Sequence, residues 1–169
     1  MKRLTWGLVI SLCIVVSLFC GGISFAAGQI LWKVDFSSQE KSEKIKVNLN
    51  DCWDAGDYLR LYTKDSYVSI FFTLEKGDYK GYTLQVTDRG TNVKMESAQD
   101  HSGGVVSPCN IVVNGVTIAD HIDITWTDFK TASFDVGKYL KNGENLVSIK
   151  MQVDAKTRYD LKDIVLVKK

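Results

Sequence analysis

The sequence has little of several features that define common protein classes. It has one proline, two histidines and no excess of charge, with 21 basic against 20 acidic residues among 169. A chain this close to neutral lacks the broad positive field that nucleic-acid and anionic-membrane binding depend on, so we expect neither partner. The two histidines do not stand in a spacing typical of zinc sites. Hydrophobic residues still make up 45% of the chain, which excludes a disordered protein and indicates one folded domain.

Residues 1–26 have the order of a secretory signal peptide. A basic start precedes a long apolar run, and Ser24 and Ala26 are small residues at the two positions that a signal peptidase reads. We predict cleavage after Ala26, which leaves residues 27–169 as a single binding domain in an extracellular or periplasmic location. Two alternatives would keep the chain at a membrane, namely an uncleaved anchor and a lipoprotein modified at Cys20.

Cysteine is scarce in the chain that would remain after cleavage. Only Cys52 and Cys109 would survive, and an even pair in an oxidising compartment predicts one disulfide between them. By chain-entropy reasoning such a bond would contribute about 4 kcal/mol of stability. The alternative is two separate buried thiols.

Long amphipathic helical patterns are absent, and short strand-like stretches recur instead. β-branched and aromatic residues run or alternate with polar ones in eleven stretches. The stretches cover residues 30–36, 44–49, 58–62, 67–74, 82–87, 110–113, 116–118, 122–126, 132–136, 145–153 and 159–167. Asn114-Gly115 predicts a tight hairpin between two of them, and one helical turn is predicted over 136–140. The sequence therefore predicts an all-β fold, an antiparallel two-sheet β-sandwich.

The stretch from 133 to 150 is the most specific part of the sequence. A strand ending in Phe-Asp-Val is followed by a short turn, Leu140, Gly143-x-Asn145 and a final alternating strand. We expect Leu140 to cover the core, Gly143 to take a turn conformation that a Cβ resists, and Asn145 to hydrogen-bond the turn backbone.

Together with three flanking elements in the same order, this stretch resembles a known family. The flanking elements lie at residues 77–86, 112–116 and 161–166. The set is similar to galactose-binding-like β-sandwich (jelly-roll) domains, which occur as carbohydrate-binding modules and as sugar-binding domains of glycoside hydrolases. The resemblance implies a jelly-roll fold and, by analogy, carbohydrate binding.

The resemblance also implies candidate ligand-binding residues. Trp126 falls where such modules stack a Trp on a sugar ring, and the alternative is an ordinary buried Trp. Tyr159 and Asp160 precede the closing strand, where such modules often place a hydroxyl-binding Asn; for Asp160 the alternative is a surface loop acid. Apart from the resemblance, Trp53 stands in an aspartate-rich loop, either as an exposed platform or as a plug under the disulfide.

Structural calcium is a further implication of the resemblance. Many such modules bind Ca²⁺ through carboxylates near the first and last strands, and Asp163 could supply one oxygen. The opening strand lacks the glutamate pair that the pattern calls for, with Asp35 as a possible substitute. No other cofactor is expected.

Catalysis has one candidate motif, the consecutive Asp100, His101 and Ser102. A catalytic triad needs groups that converge from separate elements, whereas consecutive residues on an extended loop point apart, so we expect no enzyme. The predicted function is a secreted, non-catalytic module that binds a glycan or polysaccharide through surface aromatic residues. The alternative is a structural or protein-interaction domain of an extracellular or cell-surface assembly.

Overall fold

A computed structural model describes residues 28–92, 109–120, 128–152 and 157–169. This part of the chain contains twelve β-strands and one turn of 3-10 helix. The strands are β1 (Gln29–Asp35), β2 (Glu40–Lys41), β3 (Ile45–Asn50), β4 (Cys52–Asp54), β5 (Leu59–Leu61), β6 (Tyr67–Leu74), β7 (Tyr82–Asn92), β8 (Cys109–Val113), β9 (Val116–Asp120), β10 (Lys130–Asp135), β11 (Gly143–Met151) and β12 (Thr157–Lys168), and the helical turn is Gly137–Tyr139.

The strands form two antiparallel sheets that enclose one hydrophobic core. Sheet A has the order β10-β7-β12-β1-β2, and β5 joins it by pairing with β12 and with β4. Sheet B has the order β3-β6-β11-β8-β9. Side chains from the inward faces of both sheets form the core, as the alternating burial of β6, β8 and β11 shows. The predicted all-β two-sheet sandwich is confirmed.

The predicted signal peptide lies outside the described residues, as do the predicted strand over 122–126 and the motif over 100–102. Within the described residues, the search for a helix of sufficient length and hydropathy to span a bilayer finds none.

The turn predictions of the most specific stretch are confirmed. Asn114 and Gly115 both have positive φ, at 50° and 84°, as the tight hairpin between β8 and β9 requires. Gly143 has a φ of 82°, and Leu140 is buried. Asn145 is only 3% exposed, accepts a hydrogen bond from the Lys141 amide and donates to the carbonyls of Lys141 and Gly143.

One region differs from its predicted loop conformation. The aspartate-rich segment after β3 contains a short strand, β4, because its backbone pairs in register with β5 from Cys52↔Leu61 to Asp54↔Leu59. Sequence alone does not show this pairing, since the polar composition of the segment resembles that of a turn.

β12 is the strand around which sheet A is organised. One of its edges pairs with β7, and the other pairs with β1 toward the end of the strand and with β5 near its beginning. The β12–β7 register shifts between Leu161 and Asp163, so Lys162 is an extra residue. Successive strand residues face opposite sides, and the extra residue therefore reverses the alternation.

The reversal is visible in the burial of β12. Tyr159 and Leu161 are fully buried before the bulge, and Ile164 and Leu166 are fully buried after it. Asp160 before the bulge and Asp163 after it alternate with these buried residues, so both lie on the outer face of sheet A.

Asn145→Ala should destabilise the sandwich by about 1 to 3 kcal/mol, because it removes the buried side chain that bonds the part-buried amide and carbonyl of Lys141 and the carbonyl of Gly143. Urea unfolding measures the change. Asn142→Ala, at an exposed position of the same turn, is the matched control and should change stability by less than about 0.5 kcal/mol. Equal effects of the two substitutions would contradict the assignment.

Candidate functional site

A row of large side chains crosses the outer face of sheet A. Trp53 on β4 pairs with Arg60 on β5, Arg60 pairs with Asp160 on β12, and Asp160 pairs with Arg89 on β7. Residues directly opposite each other on antiparallel strands place their side chains on the same face. Four strands thus contribute one residue each to a continuous row.

Asp160 holds the two arginines of this row. Arg60 donates from Nε at 2.6 Å and from Nη2 at 2.9 Å to the two carboxylate oxygens, and Arg89 donates from Nε at 3.1 Å. Asp160 is fully buried although it faces outward, because the guanidinium groups cover it. The hydrogen bond to Asp160 is the main cause of the raised pKa of Arg60. A buried carboxylate with charged partners of this kind fixes both guanidinium groups in place.

Aromatic rings surround the two guanidinium groups. The Cζ atom of Arg60 lies 5.3 Å from the ring centroid of Trp53 and 5.1 Å from that of Tyr58. That of Arg89 lies 4.9 Å from Tyr58 and 4.4 Å from Phe129. These distances are typical of cation–π contacts, which are stronger for partly buried cations.

We call this arrangement the aromatic–arginine cluster. It comprises Trp53, Tyr58, Arg60, Arg89, Phe129, Asp160 and Lys162, whose ammonium lies 5.7 Å from the Phe129 ring centroid. Trp53 is 52% exposed, so a large apolar surface faces solvent beside fixed cationic donors.

The structure brings two of the sequence-predicted site residues together and separates a third from them. Trp53 is an exposed platform rather than a plug, and Asp160 is a buried strand residue rather than a loop acid. Tyr159 faces the opposite side of β12 and is fully buried, which removes it from the candidate ligand contacts. Trp126 lies outside the described residues, three positions before Phe129.

Sequence reasoning missed both arginines of the cluster. The available signal is the placement of Arg60 between Leu59 and Leu61, since a cation in an alternating strand faces outward when its neighbours are buried. Nothing local links Arg60 to Arg89 or Asp160.

Tyr159 has a structural partner beneath the cluster. Its hydroxyl donates a 2.6 Å hydrogen bond to the Asp88 carboxylate, and both side chains lie in the core. Burial raises the pKa of Asp88 to about 7, although the Tyr159 hydrogen bond opposes the rise. Burial also raises the pKa of Tyr159 well above its usual value. The pair is therefore a feature of the core.

The predicted disulfide between Cys52 and Cys109 is not formed in this structure. The Cys52 thiol donates to the carbonyls of Asn50 and Tyr67, and the Cys109 thiol contacts the sulfur of Met151 at 3.2 Å. In sheet B, β11 lies between β6, which contacts Cys52, and β8, which contains Cys109. The two thiols therefore have different partners, the backbone of β6 for Cys52 and the Met151 side chain of β11 for Cys109. Burial raises the pKa of Cys52 to about 11.

The two predicted calcium ligands are brought into register. Asp35 on β1 pairs with Asp163 on β12, and Glu40 on β2 pairs with Asp35 from the other side. We call these three residues the acidic row. The Lys33 ammonium lies 2.7 Å from Asp35 Oδ2, and its hydrogen bond is the main cause that lowers the pKa of Asp35 to about 2.

The acidic row does not fit a calcium ion. Asp35 Oδ1 accepts hydrogen bonds from the amide and hydroxyl of Ser37, and Asp163 Oδ1 accepts one from the Thr87 hydroxyl at 2.8 Å. Calcium requires six to eight oxygen ligands that converge on one point. Among the described residues, no group of three or more metal-ligating side chains converges in that way.

The fold is similar to that of known sugar-binding structures. A carbohydrate-binding module of family 36, in complex with calcium and xylotriose, shares 13% identity at a TM-score of 0.51, over 79% of this chain and 98% of that one. A family 35 carbohydrate-binding module from Clostridium thermocellum shares 15% identity at a TM-score of 0.47, over 80% of this chain and 97% of that one. No protein-family model and no curated protein matches the chain. The predicted resemblance to carbohydrate-binding modules is thus confirmed for the fold.

Asp88→Asn should make the protein more stable at pH 8. The folded-state pKa of Asp88 lies above the ordinary value near 4, so its ionisation costs stability as the pH rises from about 4 to 7. The variant, which does not ionise, should gain up to about 4 kcal/mol at pH 8, since one pKa unit corresponds to about 1.4 kcal/mol. Urea unfolding at pH 4 and pH 8 measures the difference.

The gain should disappear at pH 4, where Asp88 is protonated in the folded protein. Asp57→Asn, at an exposed loop position, is the control for a carboxylate-to-amide change outside the core. A loss of stability in the Asp88 variant at pH 8 would show that the core favours the ionised carboxylate, contrary to this account.

Proposed function

We propose that the protein is an exported, non-catalytic module that binds carbohydrate on the outer face of sheet A, through the aromatic–arginine cluster. The observation that carries this proposal is the exposed Trp53 ring beside a fixed pair of guanidinium groups. The shared fold with carbohydrate-binding modules is consistent with it, while the assignment to this face depends on the residues themselves.

The chemistry of the cluster suits a sugar ring. The axial C–H patch of a pyranose packs on the negative face of an aromatic ring, and the hydroxyl groups at its rim need hydrogen-bond partners. Within the aromatic–arginine cluster, the Tyr58 hydroxyl and the cationic groups of Arg89 and Lys162 provide such partners. An apolar platform with polar groups at its edge is the arrangement expected of a saccharide site.

The arginines of the cluster are held in place by partners within the chain. Asp160 is bonded to both guanidinium groups, and Tyr58 packs between them while its hydroxyl accepts from Arg60 at 3.0 Å. Ordering long side chains during binding costs affinity, so a surface fixed in advance binds more tightly than the same groups on flexible stems.

Trp126 and the N-terminal segment complete the proposal. We also propose Trp126, which lies outside the described residues, as a second ligand-binding ring. Export through the signal peptide of residues 1–26 would place the module where extracellular polysaccharides occur.

Trp53→Ala should weaken sugar binding by about 1 to 3 kcal/mol, the range for loss of an aromatic anchor, while leaving the fold intact because the ring is half exposed. A glycan array of the unmodified protein identifies the ligand, and titration calorimetry measures both affinities.

Phe71→Ala is the matched control for this experiment, since Phe71 is an exposed aromatic residue on sheet B. The Phe71 variant should bind the identified sugar with the same affinity as the unmodified protein. A folded Trp53 variant that binds the identified sugar with unchanged affinity would exclude the cluster as the binding site.

A further inference from the structure

We propose that Lys33 supplies, within the chain, the positive charge that a calcium ion would supply at the acidic row, and that folding is therefore independent of calcium. The inference goes beyond sugar binding and depends on the outer face of sheet A at the junction of β12, β1 and β2.

The acidic row needs a cation on electrostatic grounds. Asp163, Asp35 and Glu40 lie opposite one another on three neighbouring strands, and like charges directly across a sheet repel. Lys33 stands two residues before Asp35 on the same strand and therefore on the same face. Its ammonium reaches Asp35 Oδ2 at 2.7 Å, a short charge-assisted hydrogen bond.

The side chains around the row are arranged for proton donors rather than for a metal. Lys33 and Ser37 donate to the two oxygens of Asp35, and Thr87 donates to Asp163 while it also bonds Thr131. An ammonium group and hydroxyl groups donate hydrogens, whereas calcium needs oxygen lone pairs directed at it. The lone pairs of Asp35 and Asp163 that accept these hydrogen bonds are directed at separate donors and not at one shared metal position.

Hydrogen bonds around the acidic row also join neighbouring segments of sheet A. Asp35 and Asp163 belong to the first and last strands of sheet A, and the hydrogen bond from Thr87 extends the row to β7. The backbone amide of Lys33 bonds the Ser42 hydroxyl beyond β2. Hydrogen bonds to hydroxyl groups thus join β12 to β7, and β1 to the residue that follows β2.

The test adds a carboxylate where the ammonium now lies. Lys33→Glu would place four acidic side chains around one point of the face, which increases the number of oxygen ligands and removes the resident cation. Extracellular calcium sites are half filled at up to about 1 mM, so thermal unfolding is measured in EDTA and in about 5 mM calcium chloride.

The unfolding temperature of the unmodified protein should differ by less than about 1 °C between EDTA and calcium, because an ion that does not bind the folded state does not change its stability. The Lys33→Glu variant should be less stable in EDTA and should gain about 3 to 6 °C in calcium. Lys46→Glu, an equal charge change on sheet B, is the matched control and should show no gain.

A second variant, Lys33→Gln, removes the ammonium without adding a carboxylate and should show a smaller gain in calcium. If repulsion between the acidic side chains prevents Lys33→Glu from folding, the unfolding temperature of Lys33→Gln in EDTA and in calcium is compared instead. The proposal is overturned if calcium raises the unfolding temperature of the unmodified protein and Asp35→Asn abolishes that rise. It is also overturned if neither Lys33 variant responds to calcium.

Discussion

The extra residue in β12 is the constraint on which the outer face of sheet A depends. If Lys162 took a regular position in the strand instead of forming the bulge, strict alternation would turn Asp163 toward the core whenever Asp160 faced outward. The bulge lets one strand hold Asp160 for the arginines and Asp163 for the acidic row on one face, while Tyr159 and Ile164 still fill the core. Bulges redirect side chains in this way beside functional sites.

A second dependence is the burial of a single carboxylate under two arginines. A lone buried carboxylate costs several kcal/mol, and removing one partner from a buried pair is strongly destabilising. Asp160 is tolerable because Arg60 bonds both of its oxygens and Arg89 bonds one of them a second time. The aromatic rings then pack on the guanidinium planes, so the electrostatic and the apolar parts of the cluster stabilise each other.

Local patterns in the sequence predicted local structure well. The strand over 67–74 has the predicted bounds, and Asn114-Gly115 and Gly143 take the predicted turn conformations, because nearby residues determine each of these features. The prediction of Tyr159 as a ligand contact fails because its environment depends on which face of β12 turns toward the core. The predicted disulfide depends on an oxidising compartment and an even number of cysteines. Neither of these contains information about the distance between Cys52 and Cys109.

The candidate site escaped prediction because its residues are remote in sequence. Arg60 and Asp160 are 100 residues apart, and Arg89 and Asp160 are 71 apart. Their meeting depends on the pairing of β12 with β5 on one edge and with β7 on the other, which no short motif encodes. The position of Lys33 likewise depends on strand pairing. The sequence shows that the opening strand lacks a glutamate pair, but only the register of β1 with β12 shows that the Lys33 ammonium lies among acidic side chains.

The pairing of β1 with β12 has a consequence for how the chain reaches its native state. Gln29 lies opposite Lys168, so the opening strand of sheet A has no neighbour along that edge until β12 is available. Such long sequence separation slows folding, because loop-closure entropy is lost before the contacts form. A chain in which β12 has not yet been synthesised lacks the central strand of sheet A, so β1 and β7 have no partner between them.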